Sequence, residues 1–403
     1  MQKKVIKIVH ILEGFTGGLS TYACAVLPQL VQNGFDVTLV CSLKRSCPDV
    51  SKLISELRKT GVKVYTIPMA RKINPFTDIY AFIIVLSLLL KNRFDIVHTH
   101  CSKAGVLGRL AAALTGVKIR LHSPHCFAFM RCGHRLTRLF YLFAEKLLGK
   151  LTTRFVAVSQ SEAQVAINSN IAPYHKCVVV ENGLSINKSS QNSALLSNIP
   201  ASKVSLGFDK DTQIITTACR LVEYKGIFRF LEAARISNVP NVVFLIAGDG
   251  KLKTSAENFI SENKLGDRVK LLGHISNMEE IYAISDVVVL CSDAEAQPYL
   301  LLEAMRAKCP IVATSVIGNK ELISHEKTGF LVEPTPVSIA TAIDKLLTCK
   351  NKRNELAENA YAYFCEHHTL EKQILKLIQV YKTCIGNENR QHATAKLSTE
   401  QPT

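Results

Sequence analysis

The chain has 403 residues, 47% of them apolar and 20% charged, enough for two domains of about 200 residues with a core apiece, and this excludes a disordered protein. Its net charge of +16 is lopsided: residues 1–185 carry 24 Lys/Arg against 9 Asp/Glu and residues 186–403 carry 25 against 24, so the first half should attract polyanions such as anionic lipid or a phosphorylated substrate. A disulfide scaffold is excluded too, because 13 cysteines in a chain of this length, with no Cys-x-x-Cys pair, read as buried thiols of a reducing compartment.

The first apolar run, Val5–Leu12, follows a basic start like that of a signal peptide. Lys7 and His10 interrupt it, however, and Gly14, Gly17 and Gly18 follow with no small-residue cleavage site, so a first β-strand is predicted. Further short strands are predicted at Asp36–Cys41, Val62–Ile67, Asp95–Thr99, Lys118–Leu121, Phe155–Val158 and Cys177–Val180. They are apolar throughout, as parallel strands covered on both faces are, and the stretches between them are long enough for crossover helices. The longest apolar run, Ile79–Leu90, has 12 residues, short of the ~20 that cross a hydrocarbon core.

Between Lys118 and Arg154 eight basic residues, among them Arg131, Arg135 and Arg138, accompany a single acid, Glu145. Such density suits an anionic membrane surface, and equally a solvated helix face. The stretch 182–200, rich in Ser and Asn, reads as a linker, with the domain boundary near residue 187. The alternation then resumes with strands at Gln213–Ala218, Val242–Ala247, Val269–Leu272, Val287–Leu290 and Ile311–Ala313, and helices such as Ile227–Ile236, Leu252–Asn263 and Leu300–Ala307. A helix over about 352–382 closes the fold, and 386–403 is a polar tail predicted to be unstructured. The expectation is an α/β protein of two doubly wound, Rossmann-like domains, 1–186 and 187–385, facing each other across a cleft.

Ligands of open α/β sheets bind beyond the carboxyl ends of strands, so residues directly after strands are the candidates. Gly17 and Gly18 follow the first strand and precede a helix, where bare backbone amides favour an anion. The pattern is not Gly-x-Gly-x-x-Gly, so no dinucleotide site is read, and a plain tight turn is the alternative. His125, in HSPHCFAF after the fifth strand, has the chemistry of a sugar hydrogen-bond partner or a proton shuttle, or of a structural histidine. Arg220 and Lys225, at the next strand-to-helix turn, form a clamp for a diphosphate unless Glu223 neutralises one of them. Glu295 and Glu303 lie before and within a helix after Val287–Leu290, so both carboxylates can reach one ligand from the helix N-terminus, and a carboxylate accepts two hydroxyls of a diol.

These motifs together resemble the retaining glycosyltransferases of family 4, with the GT-B fold. The resemblance runs from about residue 4 to 364 through the Gly17-Gly18 loop, FDIVHTHCSKAG (94–105), HSPHCFAF (122–129), VVENG (179–183), CRLVEYKG (219–226), IAGDG (246–250), LLGHI (271–275), SDVVVLCSDAEAQPYLLLEAM (285–305) and GNKELISHEKTGFLV (318–332). It implies that His125 lies beside the transferred sugar, that Arg220 and Lys225 hold the donor diphosphate, that Glu295 meets the sugar hydroxyls and Glu303 the ribose, and that Ile275 meets the base through its backbone. The family usually has Gly where Cys126 and Ala296 stand and Gly-Gly at Ile317-Gly318, which leaves the donor sugar open.

The implied substrates are a nucleotide-sugar donor, UDP-linked, and a glycan or polyprenyl-diphosphate-linked acceptor. No cofactor or metal is expected, since preorganised cations stabilise the leaving diphosphate and neither Asp209-Lys-Asp211 nor Asp293-Ala-Glu295 reads as a metal site. The setting is cytoplasmic, peripheral to the inner face of a bacterial membrane, in cell-surface polysaccharide synthesis. A nucleotide-sugar 2-epimerase of similar fold is the alternative, and a non-enzymatic polyanion binder a third reading. Nucleic acid is not an expected partner, for the basic half shows no helix-turn-helix, zinc spacing or aromatic stripe.

Overall fold

Seven strands of the first half, β1 (Lys7–Leu12), β2 (Asp36–Cys41), β3 (Lys63–Thr66), β4 (Ile96–His100), β5 (Ile119–Ser123), β6 (Arg154–Ala157) and β7 (Cys177–Val179), form one parallel sheet in the order β3-β2-β1-β4-β5-β6-β7. Its helices are α1 (Gly18–Gln32), α2 (Val50–Lys59), α3 (Pro75–Asn92), α4 (Ser102–Leu114), α5 (Arg135–Leu151) and α6 (Gln160–Asn168). A second parallel sheet orders β8 (Gln213–Ala218), β9 (Val242–Ala247), β10 (Val269–Gly273), β11 (Val287–Leu290), β12 (Ile311–Thr314) and β13 (Phe330–Val332) as β10-β9-β8-β11-β12-β13. This computed structural model describes residues 5–70, 73–186, 203–204 and 207–399, the last eleven by backbone alone.

The strands are buried runs of Val, Ile and Leu. Ile8, Val9, Ile11, Leu39, Val97 and Leu121 are wholly inaccessible in the first sheet, as are Ile215, Phe244, Ile246, Val287, Val289 and Val312 in the second. The three-residue strand Phe330–Val332 at the edge of the second sheet escaped prediction, being too short to show a period. In each sheet the strand order reverses once, between β1 and β4 and between β8 and β11. A crevice opens there beyond the carboxyl ends of the strands.

The chain divides into two units, residues up to 181 together with those from 370 onward, and residues 182–369. The boundary falls at 182 and not near 187 because Asn182 is tied into the second unit. Its backbone N–H donates to Gln297 Oε1 at 2.5 Å and its side-chain amide to the Gln297 carbonyl at 3.1 Å. Of the predicted linker, 187–200 lies outside the described residues.

The single closing helix is in fact two, Lys350–His367 and Leu370–Thr399. They break where the N–H of Leu184 donates to the carbonyl of His368 at 3.0 Å, and the second returns to the first unit. The tail predicted as unstructured from 386 continues that helix to Thr399, since Gln, Arg, Ala and Lys propagate a helix whose first turns are already packed. Residues 400–403 lie outside the described residues.

Helix α3 contains the longest apolar run, and its 18 residues are long and apolar enough to cross a membrane. It packs instead through one stripe, Ala81, Val85 and Leu89, on the first core. Its other side exposes Phe76, Ile79, Tyr80 and Ile83.

Candidate functional site

In the second unit the switch point gathers three of the predicted residues. Arg220 and Lys225 lie on the turn after β8, and Glu295 on the loop after β11. Lys225 Nζ contacts Glu295 Oε1 directly, and Arg220 donates to the Tyr224 hydroxyl. Burial pulls the Lys225 ammonium down, but the Glu295 carboxylate and Tyr224 outweigh it and hold the group above its ordinary range. It therefore stays charged, and the pair compensates two charges that would be costly to bury singly. Glu223, a possible partner of these cations on the sequence, pairs with Lys251 at 2.6 Å. Both halves of Asp293-Ala-Glu295 are likewise engaged, for Asp293 pairs with Arg229.

Two glycines make the arrangement possible. Gly226 has φ +69°, and a Cβ there would lie 2.0 Å from the Cys291 carbonyl oxygen, so any larger residue would push the β8 turn off the β11 loop. Gly318 presses on the Glu295 loop from the other side, where a Cβ would lie 2.4 Å from the Ala296 carbonyl oxygen. Of the pair Ile317-Gly318, glycine is kept at the position that requires it.

Glu303 occupies a separate place, a pocket lined by Glu279, Tyr282, Glu303 and Arg306. The Tyr282 hydroxyl donates to Glu303 Oε2 at 2.7 Å, and Arg306 pairs with Glu279 at 2.9 Å. Burial raises the Glu303 carboxyl above its usual range, although the Tyr282 hydrogen bond and the Arg306 charge oppose the shift. With one oxygen satisfied by Tyr282, the other remains to accept hydroxyls. Tyr282, Glu279 and Arg306 escaped sequence reading because their partners are distant in sequence. Ile275 sits in the loop before the helix that carries Tyr282, and its partly buried side chain packs on the core of Ile214, Leu245, Ile281 and Ile284.

In the first unit the switch point brings the Gly17-Gly18 turn together with His125. Helix α1 begins at Gly18, and its Tyr22 ring lies 5.8 Å from the ring of His125 and 4.8 Å from that of His100. His125 and Cys126 both adopt left-handed backbone, φ 50° and 71°, which costs non-glycine residues about 1–2 kcal/mol each. Glu162 holds this loop in place, accepting the N–H of Cys126 at 2.6 Å and of Val158 at 2.9 Å. Cysteine thus stands where the backbone favours the glycine usual in the family. Burial, and then the Arg131 charge, push His125 down to about 4, so it is a neutral imidazole.

The histidines of β1 and β4 were not picked out as site residues in the sequence. Strand register sets His10 beside His98 and His100 beside Ser123, and the two-residue period of β4 puts His98 and His100 on one face. His122 points to the other face, where its Nδ1 shares a hydrogen bond with Thr99 at 2.9 Å. Glu145, the lone acid of the basic segment, is buried there in an ion pair with Arg109 at 2.8 Å.

The basic segment itself is only partly a surface. Arg120 turns inward onto the carbonyls of Leu151 and Val117, and Lys118 pairs with Glu388 at 2.6 Å. Arg135 and Arg138 are exposed on α5, while Arg131 is half-buried near His125. Beside the exposed arginines runs an apolar stripe, Leu136, Leu139, Phe140, Phe143 and Leu147, each more than half exposed.

The thirteen cysteines form no disulfide, and the expectation of buried thiols holds for six of them, whereas six are partly buried and Cys349 is exposed; burial pushes the core thiol of Cys41 up to about 12.

Comparison with known proteins agrees with this geometry. The family model described as Glycosyltransferase Family 4 matches residues 16–188, and that described as Glycosyl transferases group 1 matches residues 198–363. The chain is 31% identical to an Escherichia coli UDP-Gal:alpha-D-GlcNAc-diphosphoundecaprenol alpha-1,3-galactosyltransferase, over 87% of this chain and 92% of that one. It is 27% identical to the Staphylococcus aureus capsular polysaccharide biosynthesis glycosyltransferase CapM, over 73% and 78%. Among solved structures, Anabaena HepE in complex with UDP and glucose superposes with a TM-score of 0.78 at 19% identity, over 94% of this chain and 100% of that one. Two parallel doubly wound sheets, these family matches and these relatives make the chain a glycosyltransferase of family 4 with the GT-B fold.

Proposed function

We propose that this enzyme transfers a sugar from a UDP-linked donor to a lipid-linked glycan acceptor, with retention of configuration and without a metal, in the assembly of a cell-surface polysaccharide. The observation that carries the reading is the Arg220, Lys225 and Glu295 cluster at the switch point of the second unit. Cleaving the sugar–phosphate bond places negative charge on the diphosphate, and Arg220 and Lys225 are fixed where they stabilise it. Glu295, freed from Lys225 as the diphosphate takes that cation, accepts sugar hydroxyls, and Glu303 accepts the ribose diol. The acceptor hydroxyl attacks the anomeric carbon from the face the diphosphate leaves, so its proton passes to the departing diphosphate and no dedicated base is needed. The donor and acceptor classes are supported by the name of the E. coli relative, and the polysaccharide setting by that of the S. aureus one.

The first unit is assigned the acceptor, at the inner face of the membrane. Arg135 and Arg138 beside the exposed stripe of α5, with the exposed side of α3, combine charge attraction with apolar insertion. This amends the purely electrostatic docking expected from the sequence.

A panel of nucleotides followed by thermal shift tests the donor assignment, because a ligand of the folded state raises Tm. UDP and UDP-hexoses are expected to raise it, and UMP to do so far less. Equal shifts with UMP and UDP, or none with any uridine nucleotide, would overturn the diphosphate clamp.

A further inference from the structure

We propose that Tyr381 and three buried histidines, His98, His10 and His100, form a one-way hydrogen-bonded chain that fixes the tautomer of His125 and leaves its Nδ1 lone pair available to a substrate hydroxyl. The direction follows from proton counting along observed contacts, since each neutral imidazole has one N–H and one acceptor nitrogen. Ser123 Oγ lies 2.7 Å from the carbonyl oxygen of Val156, which can only accept. The serine proton is therefore spent, and His98 Nε2, 3.0 Å away, donates to Ser123. His98 Nδ1 must then accept, and takes the Tyr381 hydroxyl proton at 2.9 Å. The tyrosine oxygen in turn accepts from His10 Nε2 at 3.3 Å. His10 Nδ1 accepts from His100 Nε2 at 3.0 Å, and His100 Nδ1 from His125 Nε2 at 2.9 Å. Each ring is left no choice of tautomer, and the last acceptor nitrogen is Nδ1 of His125.

The burial of the chain keeps it neutral. His10, His98 and His100 are fully buried, and burial holds all three below the usual histidine range, His10 down to about 3. The three also cluster as metal ligands do, their ligating atoms within 4.8 Å of one another. Every ring nitrogen of the cluster is already committed to Ser123, Tyr381, His125 or another member, however, so a metal would have to break the chain. The geometry also gives the returning C-terminal helix a task. Tyr381 is its only contribution to the chain, and without that hydroxyl the sequence of donors is cut in the middle.

His100, His10, His98 and Tyr381 act here as positioning residues through His125, and their use rests on the transferase reading above, in which the first unit takes the acceptor. Long-range ¹H–¹⁵N spectra of the full chain, labelled at histidine and recorded without substrate, read the tautomers directly. His10, His98, His100 and His125 are each expected as the Nε2–H form at neutral pH. His100→Gln preserves the relay, its amide oxygen accepting from His125 and its amide nitrogen donating to His10, whereas His100→Phe cuts it. Steady-state transfer by the pair should therefore split: kcat within about threefold of wild type for His100→Gln, and reduced about tenfold or more for His100→Phe, with the donor KM little changed, on the scale of one hydrogen bond lost or kept. Tyr381→Phe, which leaves the rings in place, should lower kcat similarly.

An Nδ1–H tautomer at any of the four rings overturns the chain, whatever the enzyme transfers. Equal activity of the Gln and Phe variants overturns its role in the reaction. Absence of transfer by wild type with every uridine donor would defeat the transferase assignment of substrate, and with it the use given to the lone pair, while the spectrum would still decide the chain.

Discussion

Acidification should destabilise the first unit steeply, because four of its histidines are fully buried: His10, His98, His100 and His122. Each has an ordinary value near 6.5, and burial lowers it in every case, to about 3 for His10 and well below for the others. The standing charge of Arg109 adds to the shift on His122. The unfolded chain therefore binds more protons than the folded one below pH 6.5, and stability present above that value is lost as pH falls through it. Between pH 7.5 and 5.5 each unfolded histidine gains most of a proton, worth about 1.4 kcal/mol, so four contribute about 5 kcal/mol. That is a large part of the 5–15 kcal/mol a domain usually has. Hydrogen exchange at the β1 and β4 amides, corrected for intrinsic rates, isolates the opening of this unit from that of the other. Protection should fall by about four decades over those two pH units. Protection unchanged within a decade would refute neutral burial of the cluster.

Three further outcomes test the site. Arg220→Ala should lower kcat by about 10²–10³-fold, as loss of one preorganised donor does, without lowering Tm, and near-normal turnover of the purified variant would remove Arg220 from the reaction. Glu303→Ala should weaken UDP binding by about 1.5–3 kcal/mol, the scale of charge-assisted hydrogen bonds, whereas unchanged affinity by calorimetry would disprove the ribose contact. Replacing Arg135 and Arg138 by Gln should make binding to anionic liposomes weaker and less salt-dependent, and Phe140→Ser with Phe143→Ser should reduce what survives at high salt. Equal sedimentation of all variants would exclude α5 as the docking helix.

Much of this was legible in the sequence because parallel strands buried on both faces leave unbroken apolar runs. Asp36–Cys41, Gln213–Ala218, Val242–Ala247 and Val287–Leu290 occur as predicted, and the candidate residues follow from the rule that ligands meet strand ends. Other features depend on partners far apart in the chain. His10, His98 and Tyr381 are 88 and 283 residues from one another in turn, and only the strand register and the returning helix bring them together. Tyr282 and Glu303 meet for the same reason, across two helices. The break at His368–Thr369 was invisible as well, since no Pro or Gly marks it. The exposed stripe of α5 was hidden for the opposite reason: Leu136, Phe140, Phe143 and Leu147 have the spacing of a core-facing helix, and only the structure shows them turned outward.

The proposed metal-free transfer with retention can be followed by NMR in EDTA, with an α-linked UDP-hexose and a short-chain polyprenyl-diphosphate-linked monosaccharide. A disaccharide product whose new linkage is α is expected, formed at the same rate with or without chelator. A β-linked product, dependence of the rate on an added divalent cation, or conversion of the donor to its 2-epimer without acceptor would contradict it.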